Sequence, residues 1–95
     1  MTTFTDDTGA QRFHQTEPDA QGTQRPVWAD YAVQGDTRVI LHVEADEALR
    51  GSGAAGRFMQ ALADHARAEG LKLAPRCSYA VAWHRRHKAY DDVLA

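Results

Sequence analysis

Apolar and polar residues alternate along two stretches of the chain and recur at helical spacing along a third. Val27, Ala29, Tyr31 and Val33 alternate with Trp28, Asp30, Ala32 and Gln34, the period-two pattern of a half-buried strand. Gln34-Gly35-Asp36-Thr37 supplies a hairpin turn, and the returning strand runs from Arg38 to Glu44. Its alternation puts Val39, Leu41 and Val43 on an expected core face, with Ile40, His42 and Glu44 on the other. From Ala54 to Glu69 the period changes to that of a helix. Phe58, Leu62 and Ala66 with Ala55, Met59 and Ala63 form the stripe, while Arg57, Asp64, Arg67 and Glu69 are expected in water. Gly70 is placed to end this helix in a left-handed cap.

Weaker signals fill in the rest. Residues 1–10 are polar and expected to be a disordered tail. Arg12 to Thr16 predicts a short strand around Phe13, and Glu17 to Arg25 a loop. Leu71 and Leu73 predict a strand closed by Pro75; Ser78 is placed to cap a last helix from Tyr79 to Lys88. Two strands bracketing a helix make a βαβ unit. The fold class is α+β, with one domain over residues 11–95.

The turn between the second strand and the first helix, Leu49-Arg50-Gly51-Ser52-Gly53-Ala54-Ala55-Gly56, carries the clearest chemistry. Gly51 and Gly53 permit a tight turn and close approach of a ligand to backbone amides. The helix start adds unpaired N–H groups and a positive dipole end, and Arg50 adds a permanent charge. A phosphate-bearing ligand fits; a purely structural turn is the competing reading. The lysine of a P-loop is missing, as are the third glycine and the context of a dinucleotide fingerprint.

Charge sharpens this picture. The chain has 95 residues and a net charge of −2. Residues 1–48 hold nine acids and three bases, a net −6, whereas residues 49–95 hold eight bases and four acids, a net +4. The basic half is the half with the glycine turn, which favours an anionic ligand there over a chain-wide nucleic-acid surface. No apolar run approaches the roughly 20 residues of a membrane span. A single cysteine, Cys77, excludes an internal disulfide framework and, with no signal peptide at the N-terminus, suggests a cytoplasmic protein.

From His42 to Tyr90 the chain resembles the minimal, single-domain branch of the GNAT acetyltransferase superfamily. The residues that carry the likeness are His42-Val43-Glu44, Ala48-Leu49-Arg50-Gly51-Ser52-Gly53, Gly70-Leu71-Lys72-Leu73, Cys77, Tyr79, and Arg85-Arg86-His87 with Tyr90. Arg50, Gly53 and Ala55 stand at the positions of the superfamily's R-x-x-G-x-G/A pyrophosphate motif. The branch usually has proline where this chain has Ser78 and Lys88, which bears on helix ends near Cys77 more than on the glycine turn. The resemblance implies a GNAT-like, largely antiparallel sheet and a domain that binds acetyl-CoA. It places the pyrophosphate on the amides of Gly51, Ser52, Gly53, Ala54, Ala55 and Gly56, beside Arg50, with the pantetheine arm at the strand end near Val43 and Glu44. The reaction implied is acetyl transfer from acetyl-CoA to an amine.

Three residues are candidates for that chemistry. Cys77 stands before a helix start beside Arg76, a setting that favours thiolate; the branch's matching cysteine suggests a catalytic role, and a small buried hydrophobe is the competing reading. His42 and Glu44 share a strand face, so both can address one proton; ordinary surface polarity competes. His84 to Lys88 form a basic cluster too short for a nucleic-acid patch, and His84 and His87 lack a supporting third metal ligand. The cluster is a solvated helix end, or Arg85 or Arg86 meets a CoA phosphate. Two functional alternatives stay open beside the acetyltransferase: a CoA-binding module with little turnover, and a basic-helix interaction protein whose glycine turn is only structural. No metal, nucleic acid or membrane partner is expected.

Overall fold

The computed structural model describes residues 4–95. Five strands form one sheet in sequence order: β1 (Thr5–Asp7), β2 (Arg12–Pro18), β3 (Gln24–Gln34), β4 (Thr37–Ala45) and β5 (Lys72–Pro75). The first four are antiparallel neighbours and β5 lies parallel to β4. Helix α1 (Ala54–Glu69) makes the crossover between β4 and β5, and α2 (Ser78–Arg86) follows β5. Short 3₁₀ turns occupy Glu47–Leu49 and Lys88–Val93. This is the expected α+β sheet with one βαβ unit.

The core lies between one sheet face and the helices. Phe13, Val27, Ala29, Tyr31 and Ile40 from the sheet pack with Phe58, Met59 and Leu62 of α1, and Ala80 and Trp83 of α2 join them. The bounds of α1 agree with the periodicity because both ends are glycine caps. Gly53 sits at φ 80° before it and Gly70 at φ 70° after it, where the Gly70 N–H donates to the Ala66 carbonyl.

Four expectations need correction. Residues 5–7 are not a disordered tail: they pair with Arg12–His14, and the Tyr31 hydroxyl donates to Asp6 at 2.6 Å. Phe4 adds to this anchor, stacked on Phe13 and Phe58. Residues 1–3 of that segment lie outside the described residues. The strand begun at Arg12 runs past Thr16 to Pro18, since Glu17 and Pro18 continue the pairing with Arg25 and Gln24. Cys77, not Ser78, is the N-cap residue of α2, which ends at Arg86 rather than Lys88.

The fourth correction concerns β4. Tyr31 pairs with Ile40 but Asp30 pairs with His42, so Leu41 is an extra residue, a bulge. Directly opposed residues share a face. Ile40 and Val43 therefore join Tyr31 and Ala29 on the core side, whereas His42 and Glu44 join Asp30 and Trp28 on the other. Leu41, expected inside, is 52% exposed. Val39 is buried, but beside Ala32 on the side opposite Ile40.

Candidate functional site

The glycine turn is built as the sequence suggests. Asp46 starts the 3₁₀ turn by accepting the Ala48 N–H at 2.9 Å, and Leu49 is buried beneath it. The chain then reverses through Gly51 at φ 78° and Gly53 at φ 80°, left-handed conformations that favour glycine. Ser52 fastens the turn: its hydroxyl donates to the Leu49 carbonyl at 2.6 Å and accepts the Ala54 N–H at 3.3 Å. Its own N–H donates to the Leu49 carbonyl. Of the six amides from Gly51 to Gly56, those of Ser52 and Ala54 are thus engaged. The amides of Gly51, Gly53, Ala55 and Gly56 have no partner among the described residues. They stand at the positive end of a 16-residue helix, beside the exposed Arg50.

Beside this turn β4 and β5 part company. Their pairing ends at Ile40 and Pro75, while β4 runs on to Ala45. Pro75 has no N–H to continue the ladder, and the next two amides, of Arg76 and Cys77, both turn back to the Ile40 carbonyl, at 2.9 and 3.3 Å. Beyond this point the strands separate, a gap in the ladder at which the backbone N–H of Val43 faces the Cys77 sulfur. No hydrogen bond of ordinary cap geometry reaches the Cys77 sulfur. Partial burial pushes its pKa up, but the backbone N–H groups of Ala80, Val43 and Tyr79 face the sulfur and outweigh this, leaving the thiol below its usual value.

Tyr79, one of the residues that carry the family likeness, stands in the first turn of α2. A Cβ built on Gly56 would lie 3.9 Å from its hydroxyl, which places that hydroxyl at the start of α1. Burial raises its pKa, against the opposing field of Arg86, so it remains a proton-bearing donor at the end of the gap. Arg86 is thereby the member of the basic cluster whose charge acts on Tyr79. His84 is buried with neither ring nitrogen hydrogen-bonded, and burial lowers its pKa. It belongs to packing rather than to the solvated cluster.

His42 and Glu44 lie together on the open sheet face, Nε2 to Oε2 3.7 Å, both half exposed. They flank Val43 in the chain, but their side chains leave the sheet on the side away from α1. Glu44 also borders an open cleft of about 580 Å³ with Trp28, Ala45, Asp46, Glu47 and Arg50. The structure thus brings Val43 and Cys77 together where β4 and β5 separate, sets the Tyr79 hydroxyl beside Gly56, and leaves His42 and Glu44 on the open sheet face.

Arg57 corrects a further expectation. Instead of facing water freely, it pairs with the buried Glu17, Nη2 to Oε1 2.8 Å, and donates from Nη1 to the Ser52 carbonyl at 2.9 Å. Glu17 fell in an expected loop, forty residues away, so no local pattern links the two. Among the described residues no group of three His, Cys, Asp or Glu side chains is placed to hold a metal ion, and no helix is long and apolar enough to cross a membrane.

Comparison with known proteins adds the following. The family model of the GCN5-related N-acetyl-transferases matches residues 12–93. Among solved structures, the chain is similar to the solution structure of a GCN5-like putative N-acetyltransferase from Staphylococcus aureus, at 23% identity and a TM-score of 0.67. That match covers 98% of this chain and 87% of the other, and shows likeness of fold. No curated protein matches the chain.

Proposed function

This chain belongs to the GCN5-related N-acetyl-transferase family, and on that premise we propose that it transfers the acetyl group of acetyl-CoA to an amine. The observation that carries this reading is the turn from Arg50 to Gly56: four unpartnered amides at a helix start, beside a guanidinium, opening onto the gap between β4 and β5. A pyrophosphate suits the amides and Arg50, since hydrogen bonds to charged groups contribute about 1.5–3 kcal/mol each. A narrow, partly apolar pantetheine arm suits the gap past Val43.

When bound, acetyl-CoA supplies an activated thioester. The residues of this chain do the rest. As the amine nitrogen bonds to the thioester carbon, the C–S bond breaks and the nitrogen sheds a proton. His42 or Glu44, on the face open to an acceptor, takes that proton directly or through water. The Val43 region and Cys77 hold the thioester end, and Tyr79, its hydroxyl beside Gly56 and kept protonated by burial, is a donor at the pyrophosphate end. Cys77 has a second role open to it: its lowered pKa suits a nucleophile that carries the acetyl group itself.

The openness of the face bearing His42 and Glu44 favours one other reading, a CoA-binding module with little turnover, because no element among the described residues covers an acceptor there. One experiment separates the two. Calorimetry with acetyl-CoA tests binding, and mass spectrometry of a panel of amines after incubation tests transfer. Binding with amide formation supports the transferase; binding without it supports the module; neither would sink both.

A further inference from the structure

Arg57 is more than a surface residue of α1. Its guanidinium meets Glu17 through Nε at 3.0 Å and Nη2 at 2.8 Å, and Nη1 reaches the Ser52 carbonyl at 2.9 Å. Glu17 is 3% exposed, and its other oxygen accepts from Gln15 Nε2 at 3.1 Å. A buried carboxylate rooted in β2 thus fixes an arginine that in turn grips the glycine turn. The grip has a geometric consequence. In a trans peptide the carbonyl and the following N–H point in opposite directions. With the Ser52 carbonyl drawn to Arg57, the Gly53 N–H must point the other way, out of the turn, and it has no partner among the described residues.

We propose that Arg57, anchored on Glu17, is a positioning residue that aims the Gly53 amide at the pyrophosphate, and so selects acyl donors that carry one. The inference rests on the turn being the pyrophosphate site. Glu17 and Ser52 engage Nε, Nη2 and Nη1 of Arg57, three of its five N–H donors, and the role assigned to it acts through the backbone of the turn. A lysine at this position would keep the charge but lose the three-point grip.

The test is calorimetric titration of the full chain with CoA and with pantetheine, which lacks every phosphate. Arg57→Gln should weaken CoA by about tenfold or more, the worth of one charge-assisted hydrogen bond, and leave pantetheine within about twofold. Arg57→Lys should not restore CoA affinity. Because Arg57→Gln leaves the Glu17 charge buried and unpaired, the double variant Glu17→Gln, Arg57→Gln is measured beside it and should show the same selectivity with folding intact. Equal losses for both ligands, full rescue by lysine, or unchanged CoA affinity would each overturn the inference. Failure of the unsubstituted chain to bind CoA would instead overturn the proposed function.

Discussion

Three alanine substitutions in the glycine turn should change stability by amounts, and in directions, that the backbone dictates. Gly51 and Gly53 hold φ of 78° and 80°, where a side chain costs about 1–2 kcal/mol. A Cβ on Gly51 meets nothing within 4 Å, so Gly51→Ala should show that conformational cost alone. A Cβ on Gly53 would lie 3.2 Å from Arg57 Nη1. The tip of an arginine normally yields, but this one is held by Glu17 and Ser52, so Gly53→Ala should cost more than Gly51→Ala. Gly56 differs: it lies within α1, and a Cβ there makes only an ordinary contact with the Tyr79 hydroxyl at 3.9 Å. Gly56→Ala should therefore stabilise the fold by about 0.5–1 kcal/mol. In a domain of this size each kcal/mol is about 4–8 °C in Tm, so thermal melts followed by circular dichroism resolve all three. Titration with acetyl-CoA should add a loss of affinity in Gly56→Ala despite its higher Tm, if a phosphate approaches the Gly56 amide. A Gly53→Ala protein melting at or above the unsubstituted one would refute the backbone argument. Undiminished affinity in Gly56→Ala would refute the close approach.

Three further outcomes are expected. Iodoacetamide should label Cys77 with a pH midpoint below that of a free thiol, because the backbone N–H groups around the sulfur overcome its burial, and acetyl-CoA should slow the reaction; equal rates with and without it would place the thioester elsewhere. His42→Ala or Glu44→Ala should lower acetyl transfer by about 10²–10⁴-fold at unchanged acetyl-CoA affinity, whereas Cys77→Ala should retain substantial activity unless a competent acetyl-cysteine is trapped. Burial holds the His84 pKa below 6.5, with Asp91 opposing and His87 assisting. The unfolded chain therefore binds this proton first, and stability should fall as pH drops through 6.5; Tm of His84→Leu between pH 8 and pH 5 should decline less, and an identical decline would sink that assignment.

The helix and the glycine turn were legible because their causes are local. The apolar stripe, the two capping glycines and the position of Arg50 all lie within one 21-residue window, and each is a statement about neighbouring backbone. Residues 5–7 were not legible, since Thr5, Asp6 and Asp7 are polar and become a strand only by pairing with residues 12–14. Nor was the link from Glu17 to Arg57, because an ion pair between residues forty apart leaves no trace in periodicity.

Strand β4 is the instructive case, because the misread residue sets which face the proposed site residues take. Apolar residues at 39, 41 and 43 obey period two, yet Leu41 has no counterpart in β3. A register decided by the partner strand cannot be seen along one strand. Had the alternation continued unbroken from the buried Ile40, His42 and Glu44 would share its face and point into the core, where charged groups without partners are costly. The extra residue at Leu41 reverses the pleat. It keeps Ile40 inside, returns Val43 to the core side, and delivers His42 and Glu44 to the face that no helix covers. The same strand thus turns Val43 to the core side and sets His42 and Glu44 on the open side, which a regular strand starting from a buried Ile40 could not do.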